Sequence, residues 1–71
     1  MGSIIENYEI MFTDYPDLVN VQQLTKMLGI GITLAYKLIK TNTIIAVKVG
    51  REYKIPKRNV IEYLTNQNII D

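Results

Sequence analysis

Apolar residues at Ile4, Ile5, Tyr8, Met11 and Phe12, with Glu6, Asn7 and Glu9 between them, recur at the spacing of one helix face. The pattern predicts a short amphipathic helix over 4–12. Thr13-Asp14-Tyr15-Pro16-Asp17 breaks it, because Pro16 confines Tyr15 to extended geometry and aspartates favour turns. Helical spacing resumes after Asn20, a residue suited to the N-cap, and Gln23 three positions on can reach back to the cap's backbone N–H. Val19 and Leu24 are spaced for a hydrophobic staple. Leu24, Met27 and Leu28 form the face to be buried, and Gly29 stops the helix by turning left-handed at little steric cost. Gly29-Ile30-Gly31 then makes a three-residue turn with Ile30 packed under its corner. A second helix is expected over 32–40, with Ala35, Leu38 and Ile39 facing inward.

The period next changes from helical to extended. Ile44-Ile45-Ala46-Val47-Lys48-Val49 is short and rich in β-branched residues, as a strand should be. Gly50-Arg51 supplies a two-residue turn, and Glu52-Tyr53-Lys54-Ile55 reads as the returning strand. Pro56 ends that strand and opens a closing helix from Lys57 to about Asn66, with Val60, Ile61, Leu64 and Tyr63 as its apolar stripe. The elements predict a mainly α domain with a small β-hairpin. Their order is a winged helix-turn-helix: helix-turn-helix, two-stranded wing and closing helix, preceded by a short helical segment. The chain divides into an acidic N-terminal extension over 1–17, the winged domain over 18–66 and a tail over 67–71.

Composition narrows the chemistry. With 48% apolar residues in 71, the chain can bury a core, though near the lower size limit for one. Cysteine and histidine are both absent, which removes disulfides, thiolate and imidazole metal sites, and His or Cys catalysis. No Walker loop, nucleophile elbow or paired catalytic carboxylates occur, and Glu6, Glu9, Asp14 and Asp17 lack metal-ligand spacing. The expectation is a protein that is not an enzyme and has no cofactor, metal or small-molecule substrate. No apolar run approaches the roughly 20 residues of a membrane span, and the first residues do not form a signal peptide. A cytoplasmic location is expected.

Charge is segregated in a way that the net value of +1 conceals. All eight basic residues lie between Lys26 and Arg58, interrupted only by Glu52, so this stretch carries +7. Residues 1–25 carry −4 and residues 59–71 carry −2. Such an excess costs self-repulsion in a small domain, and its commonest use is an anionic polymer, where each cation at a phosphate releases counterions. The acidic extension should therefore lie away from DNA or mask the basic face until DNA displaces it.

The stretch Leu18–Leu64 resembles the excisionase-type DNA-binding domains, a compact branch of the winged-helix group related to the mercury-resistance-regulator type. The resemblance rests on Val19-Asn20-Val21-Gln22-Gln23-Leu24, Leu28-Gly29-Ile30 and Ala35-Tyr36-Lys37-Leu38-Ile39. It continues through Ile44, Ala46-Val47-Lys48-Val49-Gly50-Arg51, and Tyr53-Lys54-Ile55-Pro56 leading to Tyr63-Leu64. It implies a recombination directionality factor of a phage or mobile element. Such proteins bind near attachment sites, often side by side, bend DNA and bias an integrase towards excision. A small transcription regulator built on the same module is the nearest alternative.

In a helix-turn-helix the second helix enters the major groove, its N-terminal residues facing base edges. That places Thr33 for a base or phosphate, and Tyr36, Lys37 and Lys40 for phosphates or groove walls. Ile32 and Leu34 stand where the family usually has polar or basic residues. On a reading helix such aliphatic side chains recognise little beyond thymine methyls; otherwise they pack against residues 4–12 or a second protomer, or the module docks on protein through them. Arg51 at the wing tip suits a narrow minor groove. Lys48 and Lys54 on the hairpin, and Lys57 and Arg58 at the start of the closing helix, complete the phosphate-gripping candidates. Tyr53 is expected to pack in the core or against the second helix.

Overall fold

The structure, a computed structural model, describes residues 4–69, with side chains at 7, 8 and 10–66. The element order is α1 (Ile4–Met11), β1 (Leu18–Val19), α2 (Val21–Leu28), α3 (Ile32–Lys40), β2 (Val47–Val49), β3 (Glu52–Pro56) and α4 (Lys57–Ile69). The winged helix-turn-helix is present, with one strand more than expected: β1 joins the hairpin in an antiparallel sheet of order β1-β3-β2. Leu18 pairs with Pro56 and Val19 with Ile55. A two-residue strand offers no periodicity to read in the sequence.

The start of α2 forms as its sequence dictates. Asn20 is extended, its Oδ1 accepts from the Gln23 N–H at 2.7 Å, and its own N–H donates to Gln23 Oε1 at 2.9 Å. Val19 and Leu24, the staple pair, have no solvent exposure at all. Gly29 ends the helix at φ 67°, ψ 38°, a left-handed geometry that glycine adopts without a Cβ penalty. Ala35 and Ile39 of α3 are buried, and Leu28, Ile30 and Leu38 pack against the same core.

Ile44–Val49 is a strand only over Val47–Val49. Ile44 instead plugs the core, its N–H donating to Leu38 O at 3.1 Å, while Ile45 O accepts from Asn59 Nδ2 at 2.9 Å. These backbone groups are taken by α3 and α4, so the ladder starts later. Asn42 makes the preceding corner at φ 59°, one of the few non-glycine residues that tolerates it. The closing helix runs on past Asn66 to Ile69; residues 70–71 lie outside the described residues.

α1 packs on α4. Phe12, just beyond its last residue, is 5% exposed and belongs to the core, stacked with Tyr8 at 6.2 Å and met edge-on by Tyr15 at 5.8 Å. Met11, expected on the inward face, is exposed, and the buried side of this segment is Tyr8, Phe12 and Tyr15. The side chains of Ile4 and Ile5 lie outside the described residues. Among its described residues, the acidic segment thus covers the domain's own core through three aromatics.

Candidate nucleic-acid interface

Burial of Ala35 and Ile39 fixes the rotation of α3 and turns Thr33, Lys37 and Lys40 outward. With Tyr36 and Thr41 they line an open concavity of ≈ 550 Å³ along the helix. A second concavity lies between the starts of α2 and α3 and the wing, lined by Gln22, Ile32, Tyr36, Arg51 and Tyr53 among others. Tyr36 is a wall of both. The reading helix and the wing tip therefore form one continuous surface, with Thr33, Tyr36, Lys37, Lys40 and Arg51 brought together on it.

The wing is held beside α3 by ring contacts. Tyr36 and Tyr53 meet edge-to-face at 6.1 Å and 66°, as expected for a Tyr53 packed against the second helix. The Lys48 ammonium sits 5.6 Å from the Tyr53 ring centroid. Aromatic pairs contribute about 0.5–1.5 kcal/mol beyond burial, and an exposed cation over a ring about 0.5–1 kcal/mol. Gly50 makes the tip turn at φ 64°, which presents Arg51 exposed.

The strand register separates the two hairpin lysines. Lys48 faces Tyr53 across the ladder, whereas Lys54 faces Val47. Paired residues share a sheet face, so Lys48 lies on the α3 side and Lys54 on the opposite side. There Lys54 Nζ is 3.7 Å from Glu52 Oε1, an exposed pair of little energetic weight. Arg58 is exposed in a different depression, shared with Asp17, Pro56, Lys57 and Ile61. Neither Lys54 nor Arg58 joins the α3–wing surface.

Lys57 corrects the phosphate-contact expectation outright. Its half-buried ammonium donates to Tyr15 O at 3.0 Å and Phe12 O at 3.4 Å, and its N–H donates to Asp17 O at 2.7 Å. A cation at the start of α4 opposes that helix's dipole, but here it satisfies carbonyls of the turn that follows α1. No sequence spacing signals this, because donor and acceptors lie 42 and 45 residues apart. Ile32 and Leu34 are 48% and 45% exposed, and α1 packs on α4.

A model of the helix-turn-helix domain family matches residues 18–68, from β1 to nearly the end of α4. The chain belongs to this family. As a helix-turn-helix domain it is a DNA-binding module and not an enzyme. No curated protein and no solved structure matches the chain. Among the described residues, no helix is long and apolar enough to cross a membrane.

Proposed function

We propose that this helix-turn-helix domain is a sequence-preferring binder of double-stranded DNA that serves as an excisionase-type recombination directionality factor. The observation that carries the DNA-binding surface is the continuity of α3 with the wing through Tyr36, which lines the concavity holding Lys37 and Lys40 and the one holding Arg51. α3 lies in the major groove, with Lys37 and Lys40 on phosphates and Thr33 and Tyr36 making a limited set of base contacts. Arg51 enters the adjacent minor groove, where negative potential is highest, and Lys48 follows it along the wing. Lys54 and Arg58 stay outside this contact. Few base contacts in so small a module call for side-by-side binding or an integrase partner to complete specificity.

The excisionase role draws on the resemblance over 18–64. It is tested by adding the protein to an integrase reaction on paired attachment sites. Recombination shifted towards excision supports the role. Duplex binding with no change in direction assigns the module to transcriptional control instead, and absence of duplex binding assigns it to protein docking.

A further inference from the structure

The side chains of α3 restrict what it can read, and this inference rests on the duplex-binding surface proposed above. Its nine residues, Ile32 to Lys40, contain no Arg, Asn, Gln, Asp or Glu. The bidentate contacts that single out guanine by arginine, or adenine by amide, and the acceptor contact to cytosine are thus absent from the helix. The two lysines lie in its last turn, away from the N-terminal end that faces base edges. What remains exposed at that end is Ile32, the Thr33 hydroxyl and methyl, Leu34 and Tyr36.

An exposed isoleucine at the first position of a reading helix is a cost in water that a DNA-bound state can recover. The feature of a base pair in the major groove that an aliphatic side chain can recognise is the thymine 5-methyl. Ile32 is placed for this: it lines the concavity with Tyr36 and Arg51, so a duplex gripped by the wing brings base edges over it. Leu34, similarly exposed, lies about 200° further round the helix at 3.6 residues per turn.

The geometry points to Ile32 as the specificity-determining residue of the surface, reading thymine through its 5-methyl group, with target sites that carry A·T pairs under the start of α3. Specificity then depends on burying methyl groups and only secondarily on hydrogen bonds.

The test begins with selection of preferred sites from random duplexes by the intact protein. Each thymine of a selected site is then replaced by deoxyuridine, which removes the methyl and leaves base pairing unchanged. One or two positions should lose affinity about fourfold, the change expected for one CH₂-sized group left in water. In Ile32→Ala the same replacements should have no effect, whereas Leu34→Ala should retain the loss. Thermal unfolding of both variants confirms that they fold. Equal binding of thymine and deoxyuridine duplexes overturns the inference and leaves duplex binding standing. Methyl sensitivity that survives Ile32→Ala overturns the assignment to Ile32. No duplex binding in any form removes the function it rests on.

Discussion

Replacing Lys57 by Met should destabilise the domain and leave its grip on DNA intact. The substitution keeps the aliphatic stem against its neighbours and deletes the ammonium that holds Tyr15 O at 3.0 Å and Phe12 O at 3.4 Å. The longer contact lies beyond the usual N–H···O range and adds little. One hydrogen bond to a charged donor contributes about 1.5–3 kcal/mol. Lys57 is only half buried, so the lower end applies, about 1.5 kcal/mol. In a domain of this size each kcal/mol moves the melting temperature by about 4–8 °C, so Tm should fall by about 6–12 °C. Thermal unfolding by circular dichroism measures it, alongside duplex affinity. Arg58→Met is the control, removing an equal charge one residue on at an exposed site, with an expected effect within about 0.5 kcal/mol. An unchanged Tm for Lys57→Met, or a loss of affinity without loss of stability, would refute the role of Lys57 as the clasp on the N-terminal segment.

Other substitutions separate core, cap and interface. Phe12→Ala removes a buried ring flanked by two tyrosines and should cost about 3 kcal/mol in urea unfolding; a cost near zero would detach α1 from the core. Asn20→Ala breaks the reciprocal cap of α2 and should cost about 1 kcal/mol, with the helical signal at 222 nm reduced before the main transition. Arg51→Ala should weaken binding across all duplex sequences and lower the salt dependence by about one counterion, with stability unchanged, since the side chain is exposed. Unaltered affinity in that variant would remove the wing from the interface.

The helical half of the fold is legible because local signals agree there. Asn20, Gln23 and Gly29 mark both ends of α2, and the spacing of Ala35 and Ile39 fixes the rotation of α3. The strands are less legible because their lengths depend on which backbone groups are already taken. Ile44 and Ile45 have strand composition, yet their polar groups are bound by Leu38 and Asn59, partners in other elements. The eight basic residues form one stretch of sequence, but the fold distributes them over different faces. Lys48 and Lys54 differ by six positions in sequence, but the hairpin register turns them to opposite faces. Lys57 and Arg58 are adjacent, yet one is bound to carbonyls of the turn after α1 and the other shares a depression with Asp17. Such separations arise from long-range pairing, which composition does not encode.

The salt dependence of duplex binding tests the proposed surface most directly. Lys37, Lys40, Lys48 and Arg51 are cations placed on the α3–wing side, and each phosphate neutralised contributes about 0.9 to the slope of log affinity against log salt. Four of them predict a slope of about −3.6. If Lys54 and Arg58 also engaged, the slope would approach about −5.4. A measured slope between about −3 and −4 supports the four-cation surface. A slope of about −5 or steeper, a nearly flat one, or no binding at low salt would contradict it.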